Sequence, residues 1–211
     1  MPELLKINRD RPDPERIAHA AHLIRLGQVI AIPTDTLYGL AADPFNLSAV
    51  DAIFRIKGRP GHKPLLLMVN SIEQAEELIT NVPESFYKLA RRFWPGPLTL
   101  VVPASRRMPR KIASDTGKVA IRLPNARIPQ ALMRELDIPL TGTSANLAGL
   151  EACTTATDVQ LQLGDRLPLI VDAGDSGIGV PSTIVDLGPS GWKVVREGAI
   201  PISDITEFFE V

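Results

Sequence analysis

The ten positions Arg55-Ile56-Lys57-Gly58-Arg59-Pro60-Gly61-His62-Lys63-Pro64 hold four Lys/Arg side chains and one histidine. Arginine offers paired N–H donors to phosphate or carboxylate oxygens and lysine a compact positive charge, so a loop stiffened by two prolines could clamp a polyphosphate. The alternative is a solvated basic loop, since a cation such as Lys57 is favoured at a helix C-terminus without any ligand. Three small polar clusters interrupt apolar runs: Pro33-Thr34-Asp35-Thr36, Thr141-Gly142-Thr143-Ser144-Ala145-Asn146 and Pro181-Ser182-Thr183. Ligands of α/β sheets collect at the carboxyl ends of strands, where hydroxyls, amides and bare backbone suit anionic oxygens. Ordinary turn chemistry explains such clusters equally. Arg122, inside Val119-Ala120-Ile121-Arg122-Leu123, is a charge in an apolar run and is costly there unless paired or used on an anion. Arg196, in Val194-Val195-Arg196-Glu197-Gly198, is a second strand-associated candidate, with edge exposure or a surface pair with Glu197 as the plain alternatives.

Other chemistries find little support. The chain carries no G-x-x-x-x-G-K-[ST], G-x-G-x-x-G, H-E-x-x-H or G-x-S-x-G. His19 and His22 are spaced to share a helix face, but no third ligand stands near, so no metal site is expected. The single cysteine, Cys153, has no adjacent base and reads as an inert thiol; it also excludes an internal disulfide and fits a reducing compartment.

The elements that must hold these residues follow from caps and periodicity. Asp13, Pro14 and the stripe Ile17, Ala20, Ala21 and Ile24 predict a first helix ending at Gly27, followed by a strand over Val29–Ile32. Ser48 with Asp51 predicts the start of a helix reaching Lys57, and Ser71 with Gln74 another. Further helices are expected over Glu84–Phe93, Ile128–Leu136 and Thr157–Leu163, with strands over Leu65–Val69, Leu98–Val102 and Val119–Leu123. Alternation of helices and strands gives an α/β class. The late strands Leu169–Asp172, Thr183–Leu187 and Trp192–Val195 have only turns between them, which predicts antiparallel neighbours and hence a mixed sheet. Arg92-Phe93-Trp94-Pro95-Gly96-Pro97 reads as packing plus a fixed turn.

At 211 residues with 45% hydrophobic and 22% charged, the chain suits one domain over 1–211, and no repeat or linker divides it. Nineteen prolines are scattered beside hydrophobic runs, which excludes a proline-rich disordered chain. A net charge of −1 gives no global attraction for nucleic acid or acidic membrane, so anion binding must be local. No long apolar stretch occurs near Met1 or elsewhere, and a cytoplasmic protein with no membrane contact is expected.

Taken in order, Pro33-Thr34-Asp35-Thr36-Leu37-Tyr38-Gly39-Leu40, Lys57-Gly58-Arg59-Pro60 with Pro64-Leu65, Trp94-Pro95-Gly96-Pro97-Leu98-Thr99, Val119-Ala120-Ile121-Arg122, Ser144-Ala145-Asn146, Ser182-Thr183-Ile184 and Arg196-Glu197-Gly198 resemble the YrdC-like family of threonylcarbamoyl-AMP synthases. The resemblance implies a single YrdC-like α/β domain with a twisted mixed sheet and flanking helices. It implies formation of threonylcarbamoyl-adenylate and pyrophosphate from L-threonine, bicarbonate or CO₂, and ATP with Mg²⁺, for tRNA modification. On the same ground Lys57, Arg59, Lys63, Ser144, Asn146 and Arg196 would bind ATP, with Lys57 and Arg59 catalytic, and Thr36, Arg122, Gly142 and Ser182 would hold threonine. A tRNA threonylcarbamoyl transferase would receive the product, and RNA contact is compatible with the basic segments. Met68 departs from the histidine frequent at the matching position, and the chain matches the family's short form. The competing expectations are an RNA-binding or regulatory module of the same fold and an ATP-dependent carbamoyl transfer to another substrate.

Overall fold

Asp13 caps the first helix by accepting hydrogen bonds from the backbone N–H of Glu15 (2.9 Å) and Arg16 (3.3 Å), and Pro14 occupies its first turn. Ile17, Ala20, Ala21 and Ile24 form the buried stripe that the spacing predicts. In the computed structural model, which describes residues 1–58, 65–113, 116–188 and 191–210, that helix lies between two short strands.

The elements in order are β1 (Glu3–Lys6), α1 (Pro14–Arg25), β2 (Ile30–Pro33), β3 (Tyr38–Ala41), α2 (Leu47–Lys57), β4 (Leu66–Met68), α3 (Ile72–Leu78), α4 (Glu84–Phe93) and β5 (Leu98–Pro103). There follow α5 (Arg110–Ala113), β6 (Lys118–Arg122), α6 (Arg127–Leu136), β7 (Leu140–Thr141), β8 (Thr143–Ser144), α7 (Ala156–Leu163), β9 (Leu169–Asp172), β10 (Thr183–Gly188), β11 (Gly191–Arg196) and α8 (Ile202–Glu210). The expected mixed α/β architecture is present, but the strands form two sheets. One has the order β1-β9-β2-β3-β8, the other β11-β10-β5-β6-β4-β7.

Two local expectations need correction. Helix α2 is capped by Asn46, whose side chain accepts from Ser48 N and Ala49 N, and not by Ser48. Of the three late strands only β10 and β11 form an antiparallel hairpin; β9 joins the other sheet, parallel to β1 and β2, and β10 runs parallel to β5. The short connection after β9 crosses from one sheet to the other instead of turning a hairpin.

Core packing follows the period of two along the strands. Leu67, Leu98, Leu100, Val102, Val119, Ile121 and Val185 point into the larger core, with Phe86, Leu89 and Trp94 behind them. Trp94 stands edge-on to Phe86 at 5.6 Å and donates its indole N–H to Leu98 O at 2.7 Å, the packing role expected of it. A second core joins α1, α6 and β2 to Met68 and Leu140. The opposite strand positions, Leu66, Met68, Ala120, Arg122, Thr99, Val101 and Ile184, face a cavity instead.

Candidate functional site

The cavity has a volume of about 420 Å³ and takes its walls from both sheets. The six-stranded sheet supplies the face just described. The five-stranded sheet contributes Tyr38 and Gly39 from β3, Thr143 and Ser144 from β8, and the turn Thr34–Leu37 between β2 and β3.

Thr34 builds that turn. Its hydroxyl donates to Leu37 O (2.7 Å) and accepts from Thr36 N (3.1 Å). The segment is pinned from behind by the backbone of residues 178 and 179, where Ile178 N donates to Asp35 O (2.9 Å) and Gly179 N to Thr36 O (3.0 Å). A Cβ at Gly177 would stand 2.5 Å from Asp35 O, so only glycine lets the strap lie this close.

Arg122 is 4% exposed, which excludes the edge-strand alternative for it. Its Nε donates to Gly96 O (2.9 Å), one terminal nitrogen to the Thr36 hydroxyl (2.8 Å) and the other to Asp35 Oδ1. Burial pulls the guanidinium below its ordinary pKa and the Asp35 carboxylate offsets that. Asp35 Oδ2 is buried without a hydrogen-bond partner among the described residues. Asp35 lines a second cavity, of about 430 Å³, with Gly96, Asn125, Arg127 and Gly177. The ion pair therefore stands in the wall between two cavities, its cation on one side and its anion on the other.

A second polar row completes the first cavity. Thr99 and Ser182 share a hydrogen bond between hydroxyls (2.8 Å), and both are buried. Arg196 donates to Ser182 O through Nε (3.3 Å) and a terminal nitrogen (2.8 Å), so it does not make the surface pair with Glu197, whose carboxylate accepts from Ile202 N. Partial burial and the nearby positive charge of Arg122 lower the Arg196 pKa.

Lys57 is 3% exposed and reaches the turn after β8 from beneath, donating to the carbonyl oxygens of Ser144 and of Asn146 (2.9 Å) and to Asn146 Oδ1 (3.3 Å). The Ser144 hydroxyl donates to Asn146 Oδ1 at 2.6 Å.

The structure thus gathers Thr36, Arg122, Gly142, Ser144, Ser182 and Arg196 around one cavity and puts Lys57 and Asn146 behind its Ser144 wall. Arg59 and Lys63 lie outside the described residues. Reasoning from sequence gave no role to Thr34, Asp35 or Thr99. A signal for Asp35 was present, because a lone arginine in an apolar strand demands a buried acid, and Asp35 is flanked by hydroxyl residues after another apolar strand. Cys153 is buried, and burial pushes its thiol up to about 11, in keeping with an inert group. Among the described residues no three His, Cys, Asp or Glu side chains stand together as a metal-ion site; His19 pairs with Glu3 at 3.0 Å. No helix among them is long and apolar enough to cross a membrane.

The protein is thus of the mixed α/β class, with a cavity between its two sheets that Arg122 and Arg196 line. The family model Sua5_yciO_yrdC, described as "Telomere recombination", matches residues 22–198. The chain belongs to this Sua5/YciO/YrdC family. It is 40% identical over 197 residues to a Pyrococcus abyssi protein named threonylcarbamoyl-AMP synthase, covering 93% of this chain and 58% of that one. A Vibrio cholerae protein of the same name is 35% identical over 186 residues, covering 87% of this chain and 98% of the relative. The crystal structure of P. abyssi Sua5 complexed with L-threonine superposes with a TM-score of 0.94 at 37% identity, covering 98% of this chain and 60% of that one. The chain thus spans little more than half the length of the archaeal relative.

Proposed function

We propose that the protein is a threonylcarbamoyl-AMP synthase, making threonylcarbamoyl-adenylate and pyrophosphate from L-threonine, bicarbonate or CO₂, and ATP. The observation that carries this reading is the buried Arg122 guanidinium, anchored on three sides and lining a cavity with Ser182, Arg196 and Ser144. Names of full-length relatives and a threonine-bound neighbour support it.

In this reading Arg122, with Thr36 and Ser182 beside it, takes the threonine carboxylate through charge-assisted hydrogen bonds. Gly142 lines the amino-acid end of the cavity, its missing side chain leaving room for Met68. Ser144 and Arg196 face the nucleotide phosphates, with Asn146 behind Ser144 accepting from its hydroxyl and Lys57 holding the turn and adding positive potential beneath it. Arg59 and Lys63 are assigned to the phosphates by resemblance alone. The threonine amine adds to CO₂ and loses a proton to give a carbamate. A carbamate oxygen then attacks the α-phosphorus, the bond from that phosphorus to the bridging oxygen breaks, and pyrophosphate leaves. No protein nucleophile is required: the chain aligns the partners and stabilises the developing charge. Magnesium would travel on the ATP phosphates as part of the substrate. The product would pass to a tRNA threonylcarbamoyl transferase, and the reaction would run in the cytoplasm.

Purified protein given Mg-ATP, L-threonine and bicarbonate is expected to release pyrophosphate only when all are present, and to yield a species with the mass of threonylcarbamoyl-adenylate. Folded protein that shows neither excludes the synthase reading.

A further inference from the structure

We propose that Met68, resting on Gly142, sets the largest amino-acid side chain that the cavity accepts. This rests on the synthase reading for the identity of the ligand, but the geometry is independent of it. Strands β4 and β6 pair in parallel with Leu66 opposite Ala120 and Met68 opposite Arg122. Side chains opposite one another in a sheet stand on the same face, so Met68 flanks the guanidinium directly. Thr99 flanks it on the other side, since its neighbour Leu100 is opposite Ile121, the neighbour of Arg122.

A ligand whose carboxylate sits on Arg122 must place the rest of its body between these flanks. On the Thr99 side the wall is a hydroxyl already bonded to Ser182. On the Met68 side it is apolar and backed by main chain: a Cβ at Gly142 would stand 2.8 Å from Met68 Cγ, 3.2 Å from its Sδ and 3.4 Å from Leu66 Cδ2. Met68 therefore fills the space that any side chain at 142 would take, and it is 2% exposed. Held against Gly142 and Leu66, this thioether leaves space beside Arg122 for a methyl or a small hydroxyl group and stands in the way of a longer substituent. The compartment suits small amino acids, branched or hydroxylated at Cβ, and excludes aryl or long alkyl side chains.

The test compares L-threonine with L-3-phenylserine, which replaces the threonine methyl by phenyl, in pyrophosphate release by wild type, Met68→Ala and Met68→Val. Both variants are checked for folding by circular dichroism and Tm. Pocket contacts of one or two methylenes discriminate by about 10–200-fold. Met68→Ala is expected to lower the threonine-to-phenylserine ratio of kcat/KM at least tenfold, through a gain on phenylserine, and Met68→Val to move it the same way by less. If Met68→Ala does not fold, Met68→Val alone decides the direction. An unchanged ratio, or a loss on threonine with no gain on phenylserine, overturns the proposal. The same amino acids are run in a thermal-shift series without ATP. If wild type shows no threonine-dependent pyrophosphate release the synthase reading falls, and the size order of the thermal shifts then tests Met68: an order shifted toward phenylserine in the variants upholds the gate, and an unshifted one overturns it.

Discussion

With Asp35 removed, the Arg122 guanidinium would keep only two neutral acceptors, Gly96 O and the Thr36 hydroxyl. Deleting one partner of a buried ion pair costs about 3–5 kcal/mol, because the other charge stays behind unpaired. Asp35→Ala is expected to lower the free energy of urea unfolding by that amount, and Asp35→Asn by less, since the amide oxygen can still accept from Arg122. A loss below about 1 kcal/mol for the alanine variant, the worth of an exposed pair, would mean that the pair is solvated. Arg122 was legible as a candidate from its position in an apolar strand, and that position points to a buried acid as its partner without saying which one. Asp35 and Arg122 are 87 residues apart, and nothing local records which acid meets which base. Lys57 shows the converse: its sequence setting suggests a phosphate ligand, and the fold first spends its ammonium on the carbonyls of Ser144 and Asn146.

The helix α7 carries a full capping box, in which the Thr155 hydroxyl accepts from Asp158 N (3.0 Å) and the Asp158 carboxylate accepts from Thr155 N (3.0 Å). Hydrogen bonding by the Thr155 side chain first, and by the backbone N–H groups of Thr154 and Thr155, holds the Asp158 carboxyl below its usual range against the opposing effect of burial. Thr155→Ala should cost about 1 kcal/mol of stability in urea unfolding while leaving threonine-dependent turnover unchanged, because Thr155 does not line the cavity. An equal loss in a Thr155→Ser control, which keeps the hydroxyl, would contradict the capping account. Helix α1 could be read from sequence because cap, proline and apolar stripe are all local signals. Asn46 and Ser48 are both good caps two residues apart, and the stripe behind them fits either start. Strand β3 went unread because Tyr38-Gly39 looks like part of a ligand loop, and β1 because only four residues with one half-buried leucine form it. The apolar run in β9 announced burial but not its partner, since β9 pairs with β1 across most of the chain.

Across the whole molecule, two buried acids bear on behaviour at high pH. Burial raises Cys153 from 9.0 to about 11 and Tyr38 from 10.0 to about 12. Each is neutral when protonated, so the folded state holds these protons more tightly than the unfolded chain does. Their contribution to stability is fully present below about pH 9 and is lost as pH rises through about 11 and then about 12. The urea midpoint should therefore fall over that alkaline range, and Cys153→Ala should flatten the lower part of the fall; an unaltered slope in that variant would assign the loss to other groups. The way the cavity is assembled has a consequence for its timing during synthesis. Its walls are drawn from positions as early as Thr34 and as late as Arg196, and the intervening strands are shared between two sheets. A nascent chain emerging from the ribosome holds Arg122 long before it holds Arg196, which the edge strand β11 of the same sheet brings to the cavity. Until β11 has been translated and has folded back onto β10, the pocket lacks the wall that carries Val195 and Arg196.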